Sequence, residues 1–331
     1  MQDIANRLNI SKNAVSQALS GKPGVSERTR KLIFKVADEL GYEYAVKKKS
    51  PQRVFQQIGL IASDFAFSLT FFGEIYLSIE KEILKRDMNL VMQSIDQETK
   101  ERLILPSFIE NRQIDGLLIL SHISTAYIQK VVDTGIPTVL IDHHDPRIHA
   151  DCILTNNRFG AYTAVQHLID LNHQEIGFMG NISFSPSYQE RLEGYLLALS
   201  ENGIAVNEEY ILKNAQEKED FIHKWLEQIP NQPTAWFCVN DGLGFLAKTC
   251  LQKMGKRIPE DVSICSFDNG QLSRISNITS MDIDLQYYGR KSVEQLCWRM
   301  QNRDEPFVEI LLPSKLVRRE STSCKTDNEG N

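Results

Sequence analysis

The stretch NISKNAVSQALSG, residues 9–21, places Val15, Ala18 and Leu19 at a helical spacing and gathers Lys12, Asn13 and Gln17 on the opposite flank. Long polar side chains near the start of a helix can reach base edges in a DNA major groove. There Asn and Gln bond adenine through two hydrogen bonds and Lys donates to guanine. Ser11 and Ser16 suit phosphate oxygens, which fix register without reading sequence. The same flank also reads as an ordinary solvated face, and one amphipathic helix does not decide between the two.

Other chemistry-bearing residues give weaker signals. IDHHDPRIHAD, residues 141–151, brings together His143, His144, Asp145, His149 and Asp151. Their spacing matches no strong metal pattern such as H-E-x-x-H, so a polar pocket rim is the better reading and no metal is expected. There is no G-x-S-x-G elbow, no Walker A loop and no G-x-G-x-x-G, and no cysteine can be matched with a histidine. An enzyme is therefore not expected, nor is a cofactor.

The elements that would position these residues fall into two regimes. Residues 1–44 read as three short helices. Ile4, Ala5 and Leu8 lie on one side of the first, Ser11 caps the second, and Ser26 caps a third whose stripe is Leu32, Ile33, Val36, Ala37 and Leu40. Gly41 fits the residue after that helix. Residues 45–57 (AVKKKSPQRVFQQ) break the pattern and read as a linker. From Ile58 on, short apolar runs (IGLIAS, NLVMQS, DGLLIL, PTVLID, DCILTN, EIGFMG, YILKNA, TAWFCV, DVSICSF) alternate with helical stretches. That alternation predicts parallel sheets covered on both faces. About ten strands are too many for one sheet, so two α/β subdomains are expected. The last stretch, 321–331, is polar and small and is expected to be disordered; it has no leucine heptads for a coiled coil.

Charge follows the same division. Residues 1–53 hold 11 Lys and Arg against 5 Asp and Glu, whereas residues 54–331 hold 26 against 38. A basic head on an acidic body suits a head that meets a polyanion. No apolar run approaches a membrane span, and MQDIANRLNI lacks the features of a secretory signal. The six cysteines are scattered and form no C-x-x-C pair, as in a reduced, cytoplasmic protein.

Residues 3–42 resemble the headpiece of the LacI/GalR family along their whole length. The matching elements are Asp3-Ile4-Ala5, Ile10-Ser11, Ala14-Val15-Ser16, Val25-Ser26, Thr29-Arg30 and Leu40-Gly41-Tyr42. DGLLIL, PTVLID, HQEIGFMG, RLEGY, PTAWFCVND, PEDVSICSFDN and KLVRRES resemble family segments in family order. The resemblance implies a three-helix helix-turn-helix headpiece and a body like periplasmic sugar-binding proteins. It implies a homodimer on a near-palindromic DNA operator and a small-molecule effector, a sugar, held between two subdomains. The protein would be a repressor of carbohydrate uptake or catabolism genes.

By the same resemblance, Lys12, Asn13 and Gln17 read bases. Ser11, Ser16, Ser26 and Arg30 contact phosphate, with Asn6 and Thr29 as lesser candidates. The family's hinge is a short helix with a Leu wedge. Here Lys47, Lys48 and Lys49 stand in its place and suit phosphate or a narrow minor groove. Phe71 and Phe72 fall where rings stack on a sugar. Asp142, Asn240 and Asp268, with Asp241 nearby, fall where polar groups meet sugar hydroxyls, although a carboxylate at a strand end also caps the following turn. Ser185 or Ser187 stands where many members carry an Arg, which favours a neutral sugar or disaccharide over an anion. The resemblance divides the body into about 58–156 with 285–318, and 157–284. A solute-binding protein with vestigial N-terminal helices and a sugar-active enzyme remain the rival readings.

Overall fold

A computed structural model describes residues 1–20, 22, 24–40, 42, 57–64, 70–120 and 123–325. The chain divides into two compact units, Met1–Phe55 and Gln56–Asn331. Lys47, Lys48, Lys49 and Gly41 lie outside the described residues, so the expectations for them stay with the sequence.

The first unit is three helices, α1 (Gln2–Leu8), α2 (Lys12–Leu19) and α3 (Glu27–Glu39). Asn9, at φ 52° and ψ 48°, ends α1 in the left-handed conformation and turns the chain toward α2, a conformation Asn tolerates better than most residues. Ser11 caps α2 by accepting from the Ala14 N–H at 3.1 Å, which satisfies one of the donors that every helix start leaves open. Ile4, Ala5, Val15, Ala18, Leu19, Ile33, Val36 and Ala37 form the core. Leu32 and Leu40, expected in the α3 stripe, are instead exposed. Three short helices enclose too narrow a core to bury a wide stripe.

The second unit runs β1 (Gln57–Ser63), α4 (Thr70–Leu84), β2 (Asn89–Ile95), α5 (Gln97–Glu101), α6 (Ser107–Glu110), β3 (Gly116–Leu120), α7 (Thr125–Val132), β4 (Thr138–Ile141) and β5 (Asp151–Thr155). It continues with α8 (Asn157–Asp170), β6 (Ile176–Met179), α9 (Pro186–Glu201), β7 (Ile211–Leu212), α10 (Glu219–Glu227), β8 (Ala235–Cys238), α11 (Asp241–Lys253), β9 (Ser263–Asp268), α12 (Gln271–Ile275) and β10 (Thr279–Ile283). It closes with α13 (Leu285–Gln301), β11 (Glu309–Leu312) and β12 (Ser314–Val317).

The strands form two sheets, ordered β11-β5-β4-β3-β1-β2 and β12-β10-β9-β8-β6-β7. Helices cover both faces, so central strands such as β3 and β4 are buried at every position. This explains why they read as continuous apolar runs rather than alternating ones. The chain passes between the sheets after β5, after β10 and between β11 and β12.

Two boundaries differ from expectation. The return into the first lobe ends with β11 rather than at 318, because β12 pairs antiparallel with β10 in the second sheet. Pro313, which cannot donate a ladder hydrogen bond, stands at the switch. The expected disordered tail also begins too early. Ser321 is fully buried: its Oγ donates to the Ile264 carbonyl at 2.6 Å and accepts from the Thr279 N–H at 2.8 Å. The Ser323 carbonyl lies 3.0 Å from His173 Nε2. Polar composition mimics disorder here because the hydroxyls satisfy buried backbone groups.

One glycine sets the packing of two helices in the second lobe. A Cβ on Gly194 would overlap the Arg158 carbonyl, so RLEGY lets α9 lie directly against α8.

Candidate functional site

In the first unit, Lys12 and Asn13 occupy the first turn of α2 and are exposed. Gln17 follows on the same flank, half-exposed, with its amide oxygen beside Gly24. Ser11 is engaged as the cap and Ser16 is half-exposed. Ser26 caps α3, accepting from the Thr29 N–H at 3.2 Å, and its Oγ lies 2.8 Å from Thr29 Oγ1. Arg30, expected on phosphate, is placed differently. Nη1 donates to the Ala18 carbonyl at 3.1 Å and Nη2 to the Lys22 carbonyl at 2.6 Å. A cation on a carbonyl of the last turn of α2 is favourable, and it fixes the end of α2 and the turn after it against α3. The result is a rigid helix start that presents an amide and an ammonium outward.

In the second unit, Phe71, Phe72, Asp142, Ser185, Ser187, Asn240 and Asp268 line one cavity with about 150 Å³ of free volume. That space suits a ligand the size of one ring. The first lobe supplies the two phenylalanines from the start of α4 and Asp142 from the end of β4. The second lobe supplies the start of α9, the start of α11 and the end of β9. Phe71 and Phe72 meet edge to face, with centroids 5.0 Å apart.

Asp142 and Asp268 sit at φ 55° and φ 99°. These left-handed conformations are unfavourable for a residue with a Cβ and persist where the surroundings enforce them. Here the strain turns both carboxylates from the strand ends into the cavity. Ser187 Oγ donates to Asp142 Oδ1 at 3.1 Å, from one lobe to the other. Asn240 does two things at once. Its Oδ1 accepts from the Leu243 N–H at 2.8 Å and caps α11, while its Nδ2 donates to Tyr188 Oη and Glu217 Oε1, both at 2.7 Å. Ser185 caps α9 through the Ser187 N–H at 3.1 Å. Asp241 accepts from Ser266 Oγ at 2.6 Å and Ser280 Oγ at 2.8 Å, so its role is to join α11 to β9 and β10.

Arg191, in the RLEGY segment, is a cavity residue that the sequence did not single out. It lines the cavity and is almost fully buried. Nε donates to Asn157 Oδ1 at 2.9 Å, and Nη1 donates to Asp268 Oδ1 at 3.1 Å and to the Val239 carbonyl. The guanidinium lies 3.7 Å over the Phe267 ring. The available signal was an arginine at the helical spacing of the buried residues of α9, Ser187, Leu192, Gly194, Tyr195 and Ala198. A charge on a buried face needs partners. Tyr188 and Glu217, from α9 and the segment before α10, also line it, as do Glu74 of α4 and Arg274 of α12.

Asp142 and Asp268 both feel the charge of the Arg191 guanidinium, whereas Asp241 is held by serine hydroxyls. Burial pushes Asp142 up to about 6, against the pull of Arg191 and the Ser187 hydroxyl. Burial also raises Asp268 and Asp241. A carboxyl whose folded value is raised stabilises the fold fully below its ordinary value of 3.8, and that stability is lost as pH rises through the folded value. The Asp142→Asn variant should therefore gain on the unaltered chain by on the order of 2 kcal/mol as pH rises from about 4 to about 7. Thermal unfolding of both proteins across that range checks it, and a constant gap contradicts it.

The His/Asp stretch is dispersed among structural partners. His144 Nε2 meets Glu190 Oε1 at 2.9 Å across the lobes, and this hydrogen bond raises its pKa. Asp145 bonds Arg147 and Thr125, and Asp151 bonds Arg299. Among the described residues no three His, Cys, Asp or Glu side chains are grouped to hold a metal, and no helix is long and apolar enough to cross a membrane.

Comparison with known proteins matches both units. Residues 1–44 fit the family described as bacterial regulatory proteins, lacI family, and residues 165–322 fit the periplasmic binding protein-like domain. The chain is 32% identical to the ribose operon repressor of Haemophilus influenzae over 97% of this chain and 98% of that one. Among solved structures it resembles a LacI family transcriptional regulator from Enterococcus faecium with bound ribose, at 25% identity and TM-score 0.69, covering 82% of this chain and 100% of that one. It shares a fold with the transcriptional regulator CelR in complex with cellobiose, at 24% identity and TM-score 0.73, covering 96% and 98%.

Proposed function

The chain belongs to the LacI family of bacterial regulatory proteins, and on that premise we propose that it is a cytoplasmic repressor of carbohydrate uptake or catabolism genes. It acts as a homodimer on a near-palindromic operator and answers to a sugar held between its lobes. The observation that carries this reading is the cavity. It is walled from both sheets, with Asp142 on one side and Asn240, Arg191 and Asp268 on the other, beside Phe71 and Phe72. Hydroxyls both donate and accept, and this wall offers a guanidinium, an amide and carboxylates, with rings for the apolar face of a sugar. Binding of such a ligand stabilises one closure of the lobes over another, and the DNA-competent population shifts with it. The site is built for binding rather than turnover.

On the DNA side, Lys12, Asn13 and Gln17 read bases, and Ser16, with Lys47, Lys48 and Lys49, contacts phosphate. Ser11 and Ser26 serve chiefly as caps and Arg30 as the brace of α2. The test is a set of gel-shift titrations of the intact chain on duplexes selected from a random pool. Gln17→Ala should relax preference at one half-site position by about 1–3 kcal/mol. Lys48→Ala should weaken all sequences alike and lower the salt slope by about one. Equal loss on every sequence for Gln17→Ala contradicts the base-reading role.

A further inference from the structure

His144 joins the two lobes from outside the cavity. It follows β4 in the first lobe, and its two ring nitrogens face two different carboxylates. Nε2 lies 2.9 Å from Glu190 Oε1, on α9 of the second lobe, and Nδ1 lies 3.5 Å from Glu309 Oε1, on β11 of its own. A neutral imidazole donates from one nitrogen only and turns a lone pair toward the other carboxylate, whereas an imidazolium donates to both. The arrangement is therefore that of a protonated ring.

Glu190 carries this contact inward. Its Oε2 accepts from Asn157 Nδ2 at 2.9 Å, and Asn157 Oδ1 accepts from Arg191 Nε at 2.9 Å. Arg191 in turn donates to Asp268 at 3.1 Å. Neither His144 nor Glu190 lines the cavity itself, so Glu190 acts on it through Asn157 and Arg191. Taking the cleft to be the effector site, we propose that the His144–Glu190 pair is a proton-operated latch between the lobes, with Glu190 the positioning residue that ties the latch to Arg191.

The charged groups around the ring agree with this role. Glu190 and Glu309 favour the imidazolium, and the Glu190 hydrogen bond is the chief reason that His144 stands above its ordinary 6.5. His143 beside it opposes a second charge, but burial holds His143 down to about 4, so it is neutral when His144 titrates. Asp142 adds a negative charge nearby as pH rises through about 6, and Asp145 is paired with Arg147. On the far side of Glu190, Arg158 pairs with Glu193. The latch is complete below the ordinary value and is lost as pH rises through the raised one. When the lobes part, Glu190 leaves and the ring returns to its ordinary value. A proton held tenfold more tightly in one arrangement shifts the ratio of the two by about tenfold. Acid therefore favours the arrangement that closes the cleft.

The test is Förster transfer within the full chain, between dyes at Glu98→Cys in α5 and Lys218→Cys before α10, both exposed sites. Cys297→Ser and Cys324→Ser leave only buried cysteines beside them, and excess unlabelled chain keeps the transfer within one protomer. From about pH 9 to about pH 6 the ratio of latched to parted lobes should rise by about threefold or more. His144→Gln and Glu190→Gln should each remove most of that rise. His144→Lys, charged throughout, should keep the latched population at both ends. Asp142 and Asp268 titrate in every one of these proteins, so the difference from the unaltered chain isolates the latch. An unchanged ratio in the unaltered chain, or a rise that survives intact in His144→Gln, overturns the proposal. No sugar enters the measurement, so a cleft that binds none would defeat the effector reading and leave the latch standing.

Discussion

Arg299→Ala should destabilise the second unit by about 3–5 kcal/mol, the range for breaking one partner of a buried ion pair. Asp151 opens β5 and is fully buried. Arg299, on α13, meets it with two parallel hydrogen bonds, Nε to Oδ2 at 2.8 Å and Nη2 to Oδ1 at 2.7 Å. Gln295 Nε2 and the Val308 N–H donate to the same carboxylate at 2.8 Å and 3.0 Å. The remaining guanidinium hydrogens hold the carbonyls of Asn302, Glu305 and Pro306. The pair thus ties the end of α13 to the segment that leads into β11. Alanine leaves a desolvated carboxylate and three carbonyls without their donor. Urea unfolding measures the loss. The double variant Asp151→Leu/Arg299→Met should lose much less than the sum of the single changes, because no buried charge is then stranded. A loss below about 1 kcal/mol for Arg299→Ala would mean that water reaches and resolvates Asp151.

The second large effect falls on the cavity. Arg191→Ala removes the only guanidinium bonded to Asp268 among the described residues, together with the cover over Phe267. Effector affinity should fall by roughly 100-fold or more, since a buried charged donor and the orientation of its partner carboxylate are both lost. Arg191→Lys should not rescue it. An ammonium cannot reach Asn157, Val239 and Asp268 in the fixed fork that these distances record. DNA affinity without effector should be preserved, so the variant should bind its operator normally and fail to respond to ligand. A variant that retains the full ligand-induced rise in thermal midpoint contradicts the role.

The sequence made some of this legible and hid the rest for identifiable reasons. The buried strands were plain because a sheet covered on both faces needs unbroken apolar runs, as in GLLIL of β3. The helix-turn-helix was plain because caps and turn residues act locally: Ser11 and Asn9 do their work within a few positions. Asp142, Asn240 and Asp268 were named through the resemblance of PTVLID, PTAWFCVND and PEDVSICSFDN to family segments, and all three line the cavity. Arg191 could not, since its meaning comes from Asn157, Val239, Phe267 and Asp268, which only the fold brings together. The same holds for Ser321, polar in composition and buried in fact. Arg30 shows the converse. The resemblance puts it on phosphate, yet its guanidinium is turned onto two backbone carbonyls.

The central claim is that the start of α2 reads base pairs under control of the body. Its most direct test is competition binding of the full-length protein to a selected palindromic duplex and to a scrambled duplex of equal length, at about 0.15 M salt. The expected result is a preference of at least about 10³-fold for the selected duplex, with an affinity that changes when a cognate sugar is added. Equal affinity for the two duplexes, with or without sugar, would contradict the claim.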